Sequence, residues 1–429
     1  MNDIQKARSG WLWVPSLYYA EGLPYIVVNV SSVVLYQRLG ISNTEIALYT
    51  SWFYLPWVIK PFWSPIVDLL KSKRYWILIT QFTIGISLGA IALTIPLPFF
   101  FKITNLIFWL IAFSSATHDI AADGFYMLGL NENRQAFFVG IRNTCYRLAM
   151  ITGQGLLLIL AGYLENKYSQ GKEGIAFAWS ISFGSLAALF LLFALYHLFI
   201  LPRPKSDSKR QRIDLKTLIK EFYSTFALFF KKDKIHIVLL FFVLYRLGEA
   251  QLLKIAQLFL LGSRSSGGMA LETGEVGFAY GTMGVILLIA GGILGGFLAA
   301  KYGLRYWMWW MALAMNLPNA VYIYLSFYLP DNFMIVSACI AIEQFGYGFG
   351  FTVYALYMIY TARGKYKTAH YALITGFMAL GMMIPGMFSG WLQEWLGYRM
   401  FFIWVLVATL PGFILLKYIP LEASFGKQE

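Results

Sequence analysis

The chain has 429 residues, of which 59% are apolar and only 13% are charged. A soluble domain usually has about 25% charged residues, so the composition excludes an ordinary soluble protein and indicates an integral membrane protein. The formal net charge of +13 does not indicate a nucleic-acid partner, because most lysines and arginines fall in loops predicted on one side of the membrane. This asymmetry predicts a multi-pass protein with both termini in the cytoplasm.

Long apolar runs predict the membrane helices. A spanning helix needs about 20 mostly apolar residues, and the chain offers twelve such runs with short loops between most of them. The predicted spans are 11–36, 44–63, 75–99, 104–128, 136–163, 174–201, 235–262, 274–300, 305–328, 333–360, 368–393 and 398–418.

One connection is longer and strongly basic. It opens with the letters PRPKSDSKRQR, closes with KKDK, and contains a mildly amphipathic stretch at about Leu215–Phe230 that suits the membrane surface. We therefore predict an N-terminal six-helix half at 1–201, a cytoplasmic basic linker at 202–234, and a C-terminal six-helix half at 235–429.

Two loops at matching positions of the halves carry a similar motif. Residues 64–74 follow the second predicted helix and residues 296–305 follow the eighth, and both resemble the loop motif G-x-L-A-D-R-x-G-R-R of the major facilitator superfamily. The first copy keeps the acidic residue as Asp68, whereas the second has Ala300 there. Two six-helix halves related by a repeat are typical of these transporters. We predict their all-α fold, with twelve transmembrane helices in two six-helix pseudo-repeats.

Further motifs are spread along the chain. They are Glu21 to Pro24, Phe62 to Pro65 followed by Asp68, Ser114 to Asp119 with Asp123, Tyr146 to Leu148, Leu244 to Glu249, Glu272 to Gly277, and Glu343 with Gly346. These stretches resemble those of a narrower group, the AmpG-type permeases, which import anhydro-muropeptides released from the cell wall. The resemblance implies a proton-coupled importer of GlcNAc-anhydro-MurNAc and its peptides that works by alternating access in the bacterial inner membrane. The alternative of another anionic metabolite, such as acetyl-coenzyme A, stays open because the broad family includes such carriers.

Charged residues inside the apolar runs are the best indication of a site. A charge in hydrocarbon costs at least ~2.5–3.5 kcal/mol, so such residues usually face a bundle interior or a water-filled cavity. On the first helix Tyr18, Glu21, Tyr25 and Asn29 follow helical spacing and form one polar stripe. We expect Glu21 to carry a proton, and Tyr25 and Asn29 to contact substrate. An interhelical hydrogen-bond staple is the other interpretation.

The fourth and fifth helices offer opposite charges. Asp119 and Asp123 share a helix face. The fourth and fifth helices run antiparallel, so residues at the same predicted depth in the membrane are Asp123 with Arg142 and Asp119 with Arg147, and we expect these to pair. A paired aspartate stays charged, whereas burial without a partner favours its neutral form. We expect Asp119 to alternate between these states and so to carry a proton; a static salt bridge is the alternative.

Substrate contacts are predicted around the same helices. Arg147 offers a planar fork to the carboxylates of a muropeptide, Gln154 lies two turns further on and suits amide groups, and Tyr146 has a flat face for a sugar ring. On the seventh helix, Arg246 and Glu249 can pair at i, i+3.

We assign Glu249 to proton coupling, and Tyr245 and Arg246 to substrate binding. Glu343 on the tenth helix is a further substrate contact that is also able to carry a proton. Lys254 lies off this face and is expected to extend outward, so it is left out of the site.

A gating role is predicted for Asp68 and Arg74 of the first loop motif, together with Asp123 and Arg142, through charge pairs and contacts to helix ends.

The G-x-x-x-G sequence Gly292–Gly296 predicts close helix packing inside one bundle.

Catalysis and metal binding are not expected. The histidines are scattered, and no nucleophile–base pair or metal-ligand set is present. His118 is expected to be a hydrogen-bonded structural residue, and a proton carrier is the alternative. The predicted partners are a small sugar-peptide, protons and membrane lipids, with no nucleic acid and no cofactor, and we expect a monomer. A sensor that binds ligand without transport stays an alternative. The histidines are His118, His197, His236 and His370.

Overall fold

The computed structural model describes residues 10–168, 171–204, 207, 215–364, 366–422 and 425, without side-chain placement for 68–69, 132–133, 136, 139, 215–222 and 368. The described residues form two compact units. One takes the described residues of 10–39 and 62–207, and the other those of 40–61 and 215–425. The domain division at the basic linker stays a prediction, and residues 208–214 of that linker lie outside the described part.

Twelve long helical segments, counted over the described residues, agree within a few residues with the predicted spans, except that the second helix continues past its predicted end at 63 to Leu70. No strand is present in this part of the chain. The first helix comprises Val14–Ile26, Val27–Ser31 and Ser32–Arg38, and the second comprises Asn43–Trp52 and Leu55–Leu70. The third helix is Lys73–Thr94 and the fourth is Phe100–Gly129. The fifth comprises Glu132–Met150, Ile151–Leu156 and Leu157–Tyr168, and the sixth is Lys172–Ile200. The seventh comprises Ile235–Leu244 and Leu247–Leu261; the eighth Thr273–Val276, Gly277–Gly284 and Val285–Tyr302; the ninth Leu304–Asn316, Leu317–Asn319 and Ala320–Tyr328; and the tenth Phe333–Ala362. The eleventh and twelfth form Lys367–Val407, divided at Gly397, and Leu410–Leu416 follows.

Length and composition alone make eight stretches of the described chain suitable to cross a membrane. The last of them, Ala369–Leu416, contains both the eleventh and the twelfth helix. Gly397 separates these two helices because its φ of 70° lies in the left-handed region, where a side chain would be strained. The predicted surface helix is also present, at Leu215–Phe230.

Within the described residues, three helices contain a π-helical turn, in which each backbone hydrogen bond spans one residue more than in an α-helix. The turns are Val27–Ser31 in the first helix, Ile151–Leu156 in the fifth and Gly277–Gly284 in the eighth. The first two meet, since Ser31 Oγ donates to the carbonyl oxygen of Gly153 at 2.8 Å. Such bulges occur frequently at functional sites because they redirect side chains.

Within the second unit, the start of the second helix is held by the end of the eleventh. The Asn43 amide donates to Gln393 Oε1 at 2.6 Å. The Glu394 carboxylate accepts from the backbone nitrogen of Thr44 at 3.0 Å and from its hydroxyl at 2.6 Å. A carboxylate at this position satisfies a free backbone donor and complements the positive end of the helix dipole.

Glycines set the close approach of the eighth and tenth helices. A Cβ added at Gly291 or Gly348 would collide with a backbone carbonyl oxygen of the facing helix, that of Phe345 or Leu288. A Cβ at Gly292 would meet only ordinary contacts, and one at Gly296 would enter open space. The prediction that Gly292–Gly296 mediates the close packing is therefore wrong. Gly291, one position away, faces the tenth helix instead.

We expect Gly348→Ala to lower the stability of the folded protein, because the new methyl group meets a backbone carbonyl that cannot rotate away. Overpacking of this kind costs about 1–3 kcal/mol. Thermal unfolding of the purified protein in detergent measures the effect, with Gly296→Ala as the matched control. Equal melting temperatures for the two variants would contradict the assigned packing face.

Candidate functional site

Two carboxyl groups meet in the first unit. Glu21 is 9% exposed on the first helix, and its carboxyl group lies close to that of Asp119 on the fourth helix. Ionised carboxylates are acceptors only, so a hydrogen bond between the two groups requires a proton on one of them. The pair is thus a place where a proton can be held.

The second aspartate of the fourth helix is bound differently. Arg142 Nη1 lies 3.2 Å from Asp123 Oδ1, and the Tyr18 hydroxyl lies 3.0 Å from each of these two atoms. The guanidinium carbon also lies over the rings of Tyr18, at 4.5 Å, and Tyr126, at 5.3 Å. The predicted pairing of Asp123 with Arg142 is confirmed, whereas that of Asp119 with Arg147 stays a prediction.

Tyr146 on the fifth helix is close to several predicted site residues. Its hydroxyl is within electrostatic range of Tyr25, Glu21, Asp119 and Arg147. Arg147 is half-buried, and its Nη1 atom lies 3.5 Å from Met150 Sδ. The first unit therefore brings together an arginine, two tyrosines and the carboxyl pair, which together can bind polar and anionic groups.

The π-helical turns carry two further predicted substrate residues. Asn29 is buried in the turn of the first helix and donates to the Tyr25 carbonyl oxygen at 3.0 Å. Gln154 is buried in the turn of the fifth helix. Both amides therefore lie inside the first unit, on the two π-helical turns that the hydrogen bond from Ser31 to Gly153 connects.

A chain of hydrogen bonds that the sequence did not predict fixes His118. The Gln81 amide group lies 2.9 Å from His118 Nε2 and 2.9 Å from His197 Nδ1. His197 Nε2 lies 2.9 Å from Ser16 Oγ. The expectation that His118 is hydrogen-bonded is confirmed, whereas its structural role stays a prediction. Its neighbour in sequence is Asp119, so this chain also fixes the backbone that carries the carboxyl pair.

The second unit contains a buried ion pair. Arg246 Nε and Nη2 lie 3.0 and 2.8 Å from the two carboxylate oxygens of Glu249, so the contact is bidentate, and Nη2 donates to the Tyr347 hydroxyl at 2.9 Å. The Arg246 and Glu249 side chains are only 7% and 3% exposed. Arg246 also lies over the ring of Phe351, at 5.2 Å.

The other predicted residues of the second unit are enclosed. Tyr245 is 1% exposed and stacks on Tyr354 at a centroid distance of 5.5 Å, so its ring is part of the hydrophobic core. Glu343 is 2% exposed, and its Oε2 atom accepts from Gln344 Nε2 at 2.9 Å.

Lys254 corrects the expectation that it extends outward. The residue is 3% exposed. Its Nζ donates to Thr50 Oγ1 at 3.0 Å and lies 5.3 Å from the centre of the Tyr54 ring. The lysine is thus a buried polar residue of the second unit, held by the start of the second helix, and sequence position alone gave no sign of this contact.

Arg74 of the loop motif, for which a gating role is predicted, contacts a helix end. Arg74 donates to the carbonyl oxygens of Leu198 at 2.6 Å and Leu201 at 3.4 Å, at the end of the sixth helix. Asp207 accepts from the backbone nitrogens of Lys73 and Arg74 at 2.7 and 3.1 Å. The side chain of Asp68 lies outside the described residues. Within the described part of the chain no group of three or more potential ligands is arranged to hold a metal ion.

The helical architecture and the buried charges define a polytopic transporter. The family model of the Major Facilitator Superfamily matches residues 18–369, and this chain belongs to that superfamily. It is accordingly a multi-pass secondary transporter of the inner membrane.

Similar proteins refine this assignment. The chain is 26% identical to "Putative transporter AmpG 4" of Rickettsia felis over 415 residues, covering 93% of this chain and 94% of that protein. It is also 26% identical to "Anhydromuropeptide permease" of Escherichia coli K12 over 427 residues, covering 96% of this chain and 80% of that protein. The resemblance to AmpG-type permeases is thus confirmed.

Solved structures confirm the fold. The crystal structure of the nucleoside transporter NupG superposes with a TM-score of 0.69 at 14% identity, covering 97% of this chain and 100% of that chain. The D-xylose-proton symporter superposes with a TM-score of 0.69 at 11% identity, covering 96% and 98%.

We expect Arg246→Gln to destabilise the protein by about 3–5 kcal/mol, because it leaves the Glu249 carboxylate buried without its cation. The double variant Arg246→Gln/Glu249→Gln removes both charges and is expected to regain most of this loss. Thermal unfolding in detergent compares the variants. A double variant no more stable than the single one would show that the loss comes from packing and not from the uncompensated charge.

Proposed function

We propose that this protein imports anhydro-muropeptides, GlcNAc-anhydro-MurNAc and its peptides, together with protons and by alternating access. The observation that carries the proposal is the contact between Glu21 and Asp119, two carboxyl groups that need a proton to form a hydrogen bond. The name of the similar Escherichia coli protein, an anhydromuropeptide permease, supports this substrate.

Proton coupling is assigned to the carboxyl pair in the first unit. When the pair holds a proton it is compact. Loss of that proton leaves two negative charges that repel in an apolar environment. Binding and release of the proton therefore change the preferred separation of the first and fourth helices, which carry Glu21 and Asp119.

Substrate binding is assigned to the residues around Tyr146. Arg147 provides a cation for a peptide or lactyl carboxylate, the buried amides of Asn29 and Gln154 suit peptide groups, and Tyr25 and Tyr146 suit the sugar rings. The proximity of Arg147 to the carboxyl pair through Tyr146 links the anion site to the proton site. Arg246 remains a proposed contact of the second unit.

Transport of another anionic metabolite, such as acetyl-coenzyme A, is the second candidate. A nucleotide with several phosphates is best bound by several cations placed together. The described site of the first unit offers Arg147 for this purpose, while Arg142 is bound to Asp123. The arrangement favours a substrate with few negative charges over coenzyme A.

Uptake of labelled GlcNAc-anhydro-muropeptide into cells that lack their own permease tests the function. We expect saturable accumulation that a protonophore abolishes, because the proton gradient drives it. Accumulation that resists the protonophore would exclude proton coupling. Absence of uptake by protein shown to be in the membrane would exclude this substrate, and labelled acetyl-coenzyme A would then be tested in vesicles.

Substitution of the carboxyl pair tests the proton site. We expect Glu21→Gln and Asp119→Asn each to reduce proton-driven accumulation to the background of cells without the protein, because neither amide can release a proton. Asp331→Asn is the control, since the Asp331 side chain is 97% exposed in a surface ion pair. Normal accumulation by Asp119→Asn would rule out its coupling role.

A further inference from the structure

The surroundings of Glu343 differ from those of the other buried glutamate in the second unit. Glu343 lies on the tenth helix at 2% exposure. Its Oε2 atom accepts a hydrogen bond from Gln344 Nε2 at 2.9 Å. Over the described residues, no lysine or arginine nitrogen lies within ion-pair distance of its carboxyl group.

The elements packed against Glu343 present neutral or negative groups. Tyr280, in the π-helical turn of the eighth helix, and Tyr322, on the ninth, place their phenol groups near the carboxyl group. Glu249 on the seventh helix lies within electrostatic range. The titratable or charged groups around this cluster are Arg246, Glu249, Tyr280, Tyr322, Cys339 and Tyr347.

A count of charges then distinguishes the two glutamates. Arg246 binds both oxygens of Glu249, so this pair is neutral as a whole. An ionised Glu343 would add a buried negative charge beside Glu249, and burial of a charge without a partner is strongly unfavourable. A protonated Glu343 leaves the cluster neutral and is able to donate a hydrogen bond.

We propose that Glu343, and not Glu249, carries the exchangeable proton of the second unit, enclosed by Gln344, Tyr280 and Tyr322. This inference rests on the proposed proton-coupled function and adds a second proton site to it. On release, the O–H bond of Glu343 breaks and the proton passes to water. The remaining carboxylate is repelled by Glu249 and attracted by Arg246.

This exchange would couple protonation to helix packing. Two carboxylates would then compete for one guanidinium, which bridges the seventh helix to the tenth through Tyr347. The ionised state thus favours a different arrangement of these helices from the neutral one, while Glu249 keeps its charge throughout.

Infrared spectroscopy of the full chain in detergent tests the protonation without any substrate. A protonated carboxyl group has a C=O stretching band separate from the bands of a carboxylate. We expect Glu343→Gln to remove such a band at neutral pH. The double variant Arg246→Gln/Glu249→Gln and the control Glu165→Gln, which removes a buried glutamate paired with Arg38 at 3.0 Å, are expected to keep it. Glu343→Asp, which retains a carboxyl group, is expected to keep a shifted band.

A band unchanged in Glu343→Gln, or lost in the double variant instead, would overturn the proposal. Thermal unfolding of each variant shows that the comparison is made on folded protein. This result does not depend on the identity of the substrate, so it stands or fails separately from the muropeptide assignment.

Transport in reconstituted vesicles gives the second test. We expect Glu343→Gln to lose accumulation of labelled muropeptide driven by a proton gradient, with accumulation restored in part by Glu343→Asp, which keeps a carboxyl group that can release a proton. If the wild-type protein accumulates muropeptide and Glu343→Gln accumulates it equally well, the role of Glu343 is refuted while the proposed function stands. Wild-type protein with no transport would refute the proposed function and leave the infrared result to decide the protonation.

Discussion

The cost of a charge in an apolar interior is the constraint on which the polar structure of this protein depends. Two arginines are each matched to one carboxylate, the half-buried Arg142 to Asp123 and the buried Arg246 to Glu249. Such pairs rarely add stability compared with apolar packing, but loss of one partner is severe. Once these pairs are formed, the remaining carboxyl groups of each unit must find another way to be accommodated.

The two units use the same three groups with different connections. An arginine, a carboxylate and a tyrosine hydroxyl meet in each, but in the first unit they come from the fifth, fourth and first helices. In the second unit, Arg246 and Glu249 lie on one helix and only Tyr347 comes from another. Movement between helices therefore breaks the ion pair of the first unit but not that of the second. This difference suits Asp123 and Arg142 to gating.

Local patterns in the sequence predicted the features that depend on neighbouring residues. Apolar runs predicted the helix bounds, and the i, i+3 spacing of Arg246 and Glu249 allowed their ion pair. Lys254 was misjudged because its partner, Thr50, is 204 positions away, and no local pattern shows which face of a helix meets it. The sequence likewise does not show that Gly291, and not Gly292, faces the tenth helix, because that also depends on which face of the helix meets its neighbour. A π-helical turn shifts the register of a face by one residue, so the exact placement of Asn29 and Gln154 also depends on the folded backbone.

Buried tyrosines surround the charges of the second unit. The Tyr354 hydroxyl donates a hydrogen bond to the Phe242 carbonyl oxygen at 2.6 Å. The Tyr354 ring stacks on Tyr245, and its centre lies 5.9 Å from the guanidinium carbon of Arg246. A phenylalanine at this position would offer the ring but not the hydrogen bond, and a smaller polar residue would offer neither the ring nor the packing. Because Tyr354 lies on the tenth helix and Tyr245 on the seventh, the aromatic packing that surrounds Arg246 also fixes the register of the two helices. A change in the charge beside Arg246 must therefore act on the same contact that holds these helices together.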